Sequence, residues 1–197
     1  MPDSIALGFD TSAAHCAAAL LQGDAVLGHV TEEMTKGQAE RLFPLLEGLL
    51  SDTGLVWRDL DVIGVGTGPG NFTGIRIAVS AARGLALSLG IPAVGVTATE
   101  AAACGLSRPC RVVVALRADQ VVWQDFGIDE ADTHPQQGLA EALPPGPAPS
   151  APTVAPAVAI ARIALSRRAD PGPRPAPLYL RPADAAPARE PAPLILP

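Results

Sequence analysis

The chain has only three cysteines, Cys16, Cys104 and Cys110, and no pair of them is spaced as CxxC or CxxxC. An odd, scattered set builds neither a disulfide framework nor a zinc knuckle, so the thiols read as reduced core or near-surface groups. Lysine and arginine together number 14 against 20 acidic residues, a formal net charge of -6. Taken alone, the chain therefore lacks the clustered positive surface that covers a nucleic-acid backbone. Aromatic residues are 4% of the total, and Trp57, Trp123, Phe43 and Phe72 are too scattered to form a stacking platform for bases. No run of about 18 uncharged, mainly apolar residues occurs. The nearest, Ile77 to Gly90, is interrupted by Arg83 and reads as a buried helix. MPDSIALGFD at the start places no positive segment ahead of an apolar one, so a cytoplasmic location is expected.

Marks of catalysis are equally sparse. His15, His29 and His134 fall in no HxxxH or HExxH spacing, and neither Ser12 nor Ser80 sits in a GxSxG elbow. Cys16 has no histidine placed to activate it. We expect no catalytic residue and no metal site.

What is present is a 48% apolar chain of 197 residues, enough to bury a sizeable core. IALGF ending at Asp10, AAHCAAALL at 13–21 and VLGHVTEE at 26–33 read as three strands joined by tight corners. QAERLFPLLEGLL after Gly37 predicts a helix with Leu42, Leu45, Leu46, Leu49 and Leu50 near one face, kinked or shifted at Pro44. Glu32, Glu33, Glu40 and Glu47 read as a solvated helix face or an acidic rim for a basic partner. DVIGVGT at 61–67 then runs into GTGPGNFTG, followed by a helix from about Thr73 to Leu89, a strand AVGV at 93–96 and a short helix in TATEAAACG. Strand, helix, strand in that order implies a parallel α/β unit, so residues 1–103 form one α/β domain. Residues 104–197 read as a shortened second part. RVVVAL and VVWQDFG pair as strands around Asp119, and 15 of the 21 prolines lie in the last 54 residues, which read as coil or linker. There VAPAVAIARIALSRRA supplies one helix, and APLYLRP one short strand that docks back.

Two places invite a functional reading. GTGPGNFTG has no GK[ST] and no lysine to reach a phosphate. Three readings stay open for Gly68, Gly70 and the residues around them: a tight turn, a rigid corner that shapes a partner-facing surface, or an anion site at a helix start capped by Thr73. Asp10, Thr11 and Ser12, at the end of the first strand, resemble the carboxylate and hydroxyls that hold a metal or orient water in phosphotransfer, but such chemistry needs a second acidic group that is not evident. Otherwise Asp10 caps its own hairpin turn. Any binding of ATP or ADP at these residues is expected to be weak, and no cofactor is required.

ALGFDTS at 6–12, KGQAERLFPLLEGLL at 36–50, IGVGTGPGNFTGIRIAVSAARGLALSLGIPAVGVTATEA at 63–101, VVWQDFG at 121–127 and PLYLRPADA at 177–185 together resemble the bacterial TsaB (YeaZ) family of tRNA threonylcarbamoyladenosine biosynthesis subunits. GPGNFTGIRIAVSAARGLA is the specific part. The resemblance implies an actin-like and Hsp70-like ATPase fold with a ribonuclease H-like first lobe, and a role in modifying adenosine 37 of tRNAs that read codons starting with A. It implies no catalysis by this subunit alone. In the family the catalytic paralogue TsaD transfers the threonylcarbamoyl group from an adenylate, this subunit binds and activates it, a small ATPase, TsaE, is the third member, and tRNA is met only through the complex. Carried over, the TsaD-facing residues are Glu40, Arg41, Phe43 and Pro44 on one helix and Arg76 on the next. Gln38 stands where relatives tend to have histidine. The family's DARRGEVYW segment appears as LRADQVVWQ at 116–124, and little resembles the family's second lobe between Gly127 and Pro177. A weak ATPase or small-molecule kinase of the same fold is the alternative. In the absence of a partner, an apolar helix face carrying Leu42, Leu45 and Leu49 favours a homodimer.

Overall fold

The computed structural model describes residues 4–128 and 132–180. Five strands, β1 (Ile5–Asp10), β2 (His15–Gln22), β3 (Ala25–Glu33), β4 (Val62–Gly66) and β5 (Ala93–Val96), form one sheet in the order β3-β2-β1-β4-β5. β1 pairs antiparallel with β2 and parallel with β4. The alanine-rich stretch is thus a strand, as its length and the corner after it predict.

Alternation divides the sheet's side chains by size. Leu7, Phe9, Cys16, Ala18, Leu20, Ile63 and Val65 point to one face, under the helices α1 (Gln38–Thr53) and α2 (Phe72–Leu89). Five leucines of α1 are buried there, each contributing about 2 kcal/mol of burial. Leu42, Leu45 and Leu49 are 1%, 3% and 7% exposed, so they supply no apolar area to a second copy, and that basis for a homodimer is corrected. α1 runs unbroken through Pro44. The proline takes away the hydrogen bond to the Glu40 carbonyl, and both residues lie on the water side, where solvent can satisfy it.

The opposite face carries Ala6, Ala17, Ala19, Leu21 and Val62, with Gly8 and Gly64 beside them. It is covered by α4 (Pro156–Ser166), of which Ala157 to Ala161 and Ala164 are buried. A Cβ on Gly8 would lie 2.5 Å from the Ala157 carbonyl oxygen, and one on Gly64 2.7 Å from that of Ile160. Helix backbone therefore rests directly on strand backbone, and only small residues permit that approach. α3 (Ala98–Ala103), capped by Thr97 and Glu100 in a reciprocal box, packs beside α4.

A second sheet, β6 (Cys110–Ala115), β7 (Gln120–Phe126) and β8 (Gln136–Leu139), is antiparallel throughout. The expected pair turns at Asp119, with Ala118 and Asp119 at positive φ. β8 has no counterpart in the sequence reading. The proline-rich stretch after it straps across β6: Arg111, paired with Asp125 at 2.5 Å, also donates to the Pro144 carbonyl at 2.6 Å, and the Ser150 N–H donates to the Arg111 carbonyl. The hydrogen bond to Asp125 raises the Arg111 pKa further above its ordinary value. Residues 176–180 form no strand, yet the Leu178 N–H donates to the Thr67 carbonyl at 2.9 Å. Residues 181–185 of the resemblance's last segment lie outside the described residues.

Candidate functional site

The C-terminal ends of β1, β4 and β5 open onto a cleft of about 1150 Å³, lined by Asp10, Gly66 and Thr97 and by Val113 and Gln137 of the second sheet, with Leu116 just past β6. The glycine corner forms its rim. Gly68, at φ 87, holds the left-handed conformation that favours glycine. A Cβ on Gly70 would run into the Ser12 carbonyl, and one on Gly74 into the Thr11 carbonyl. The Asn71 N–H donates to that same Ser12 carbonyl at 2.6 Å, and the Thr11 hydroxyl donates to the Gly74 carbonyl at 2.6 Å. Asp10, Thr11, Ser12, Gly68, Gly70 and Thr73 are thus brought together, with the two loops zipped backbone to backbone. The glycines allow that contact.

The cap of α2 is Asn71 and not Thr73: its Oδ1 accepts from the Thr73 and Gly74 N–H groups at 3.0 Å each. Asn71 sits directly before the helix, a preferred N-cap type, and that signal was there to be read. The physical consequence is that two of the helix-start donors a phosphate would need are already engaged.

Asp10 is 5% exposed. Its Oδ2 accepts from the Ser12 hydroxyl at 2.9 Å and meets His15 Nε2 at 2.8 Å, so its side chain knits the β1–β2 corner beyond the strand pairing of Asp10 with Ala17. The carboxylate lies between serine and histidine. A nucleophile relay needs the histidine in the middle, and no hydrogen bond joins Ser12 to His15 among the described residues. Asp10 Oδ1 is buried, has no hydrogen-bond partner among the described residues, and occupies the space that a Cβ on Gly66 would take. Nowhere among the described residues do three His, Cys, Asp or Glu side chains gather to hold a metal. The described residues that line the cleft do not fit a metal-nucleotide centre: they bring one carboxylate and no lysine, and the helix start is closed by its own cap.

The α1 and α2 residues singled out for a partner lie outside the cleft. Glu40, Phe43, Pro44 and Arg76 are exposed, and the Phe43 ring lies 6.4 Å from the Trp57 ring centre at a tilt of 54°. Arg41 is half-buried and holds Glu32 of β3 through two bonds of 2.6 and 2.5 Å. This pairing keeps the Glu32 carboxyl below its ordinary range, and it corrects the placing of Glu32 on a helix face. Arg76 stacks 3.8 Å from the Phe72 ring centre, and its Nε donates to the Tyr179 hydroxyl at 2.8 Å. Tyr179 was not foreseen as a site residue, since nothing local in the sequence links it to a helix start over a hundred positions earlier.

Behind the corner, Cys16 is fully buried, and burial first, then Glu32, pushes its thiol up to about 11 from 9.0. Burial also pushes Cys110 up. At pH 8, iodoacetamide should therefore label half-exposed Cys104 first and spare Cys16 until the chain unfolds. Because the folded pKa lies above the unfolded one, this group's stability is complete below pH 9 and is lost as pH rises towards about 11. Equal labelling rates for Cys16 and Cys104 in the folded protein, read by mass spectrometry, would contradict this.

The strand order, with an antiparallel β1-β2-β3 and a parallel extension through β4 and β5, defines a ribonuclease H-like lobe of the actin-like ATPase class. YeaZ from Pseudomonas aeruginosa superposes with a TM-score of 0.70 at 23% identity, covering 90% of this chain and 100% of that one. The family model TsaD, tRNA N6-adenosine threonylcarbamoyltransferase, matches residues 24–135, more than half of the chain. An uncharacterized protein of Mycobacterium tuberculosis H37Rv is 34% identical over 176 residues, 82% of this chain and 83% of its own length. The tRNA threonylcarbamoyladenosine biosynthesis protein TsaB of Escherichia coli K12 is 33% identical over 129 residues, 63% of this chain. The chain belongs to the TsaB (YeaZ) family. It spans about half the length of that E. coli relative, 55%.

Proposed function

We propose that this chain is the non-catalytic, activating subunit of a cytoplasmic tRNA N6-threonylcarbamoyladenosine synthesis complex, docking the catalytic threonylcarbamoyltransferase TsaD through the outward face of α1 and α2. The observation that carries this reading is a pair of mid-helix glycines on that face. Gly48 of α1 and Gly84 of α2 are exposed, and a Cβ on either would meet nothing within 4 Å. Glycine in a helix interior costs about 0.5–1 kcal/mol against alanine. Neither has a reason among the described residues, whereas close approach of a partner's backbone supplies one. Phe43 at 42% and Leu87 at 83% exposure give the same face apolar area.

α2 is the one described helix long and apolar enough to cross a membrane. Its Ile75, Ala78, Val79 and Ala82 are buried against the sheet, which supports a packed helix and no membrane partner. The crowded corner, and a Ser12 hydroxyl bonded to Asp10 with no histidine in between, support a chain with no turnover of its own, meeting tRNA only within the complex, and with the small ATPase TsaE as a further member. A second reading, a weak ATPase or small-molecule kinase, rests on Asp10 Oδ1 alone, a buried acceptor left open in the cleft. The test is threonylcarbamoyl transfer to tRNA by the organism's TsaD with and without this chain, beside ATP turnover by the chain alone. A large rise in transfer and no turnover are expected. Robust ATP turnover abolished by Asp10→Ala would reverse the order of the two readings.

A further inference from the structure

After α4 the chain returns to the glycine corner, and what it does there bears on the proposed docking face, on which the following rests. Pro175 lies over Gly95, 3.5 Å from where a Cβ would stand, and Leu178 is tied to Thr67. Tyr179 then meets Phe72 with ring centres 5.1 Å apart and takes the Arg76 Nε hydrogen bond. Arg41, Arg108, Arg111, Arg167 and Arg168 each pair with a carboxylate. Arg76 pairs with none among the described residues and is held by two rings instead.

We infer that Tyr179 is a positioning residue: it fixes the Arg76 guanidinium against Phe72 so that its two outer nitrogens present a fork to an acidic side chain of TsaD, which makes residues 175–180 part of the docking surface. A guanidinium already bonded at Nε and stacked has given up most of its rotamer freedom before the partner arrives, and less is lost on binding. The remaining N–H groups keep the parallel geometry that matches a carboxylate. A phosphate of RNA would match the same fork. The chain's net charge of -6 and the exposed Glu40 and Glu47 of the adjoining α1 repel a polyanion far more than a single carboxylate, so the fork fits one acidic side chain on a protein better than an RNA backbone.

The test is calorimetric titration of the full chain with the organism's TsaD, across salt concentrations, for wild type, Tyr179→Phe, Arg76→Gln and the double variant. Tyr179→Phe keeps the ring and removes only the hydroxyl, and should weaken binding about fivefold. Arg76→Gln should weaken it about tenfold or more and flatten the salt dependence. The double variant should bind no worse than Arg76→Gln, because the hydroxyl acts only through the arginine. Without any partner, the Arg76 Nε–H resonance should exchange slowly in wild type and fast in Tyr179→Phe. If wild type binds and both single variants match it in affinity and salt slope, the inference falls while the docking reading stands. Failure of wild type to bind removes both. Variants that keep TsaD affinity but lose affinity for tRNA overturn the carboxylate in favour of phosphate.

Discussion

Replacing Gly64 with valine is expected to destabilise the chain by about 3 kcal/mol, the upper part of the range for overpacking a core. A Cβ there meets the Ile160 carbonyl at 2.7 Å and the Ala164 methyl at 2.9 Å. None of these contacts is the far end of a flexible side chain, and α4 has no room to turn because Gly8, the register partner of Gly64 on the neighbouring strand β1, presses on its backbone as well. α4 must lift from the sheet, exposing Ala6, Ala17, Ala19 and its own Ile160 together. Urea unfolding of wild type and Gly64→Val would read the loss. Gly84→Val, the same replacement in the middle of α2 but with open space around it, should change stability by under about 1 kcal/mol. Equal losses at the two sites would refute the close-packing account of α4.

The second large effect concerns association. Phe43→Asp should weaken binding to TsaD by about a hundredfold, a far larger effect than the modest drop expected in the unfolding midpoint of the isolated chain. Phe43 lies 6.4 Å from Trp57 at a tilt and keeps 42% of its surface in water, so the fold gains less from it than from a fully buried ring. On the docking reading it becomes a buried anchor, and a carboxylate there is desolvated without a partner. Titration beside thermal unfolding separates the two. Undiminished binding with an intact fold would remove the α1–α2 face from consideration, and lost binding with a steeply lowered midpoint would show that Phe43 serves the fold.

The elements whose signals are local were legible. β4, the corner, α2, β5 and α3 follow from an apolar run, a glycine cluster, an apolar helix and the box at Thr97 and Glu100, all within 41 residues of Val62. Long-range placements were not. Nothing in VAPAVAIARIALSRRA says that it crosses back to cover β1 and β4, since an alanine-rich helix fits any small-residue surface and Gly8 and Gly64 declare themselves only when paired with it. β8, with the sequence QQGL, has no strand propensity of its own and exists because β7 offers an unpaired edge. Leu42, Leu45 and Leu49 were correctly set on one helix face, but periodicity does not say whether that face meets a core or a second copy. In the site, the meeting of Asp10 with Ser12 and His15 needed only the short loop 11–14, while Arg76 with Tyr179 needed the whole topology.

The division of the sheet into a bulky face and a small-residue face also bears on biosynthesis. The strands from β1 to β5 leave the ribosome well before residues 156–166 exist, so one side of the nascent sheet waits uncovered. Because that side presents mostly alanine and glycine, it offers stray chains little apolar area to seize. The leucine-rich side is closed early by α1 and α2, the helices encoded among the strands themselves.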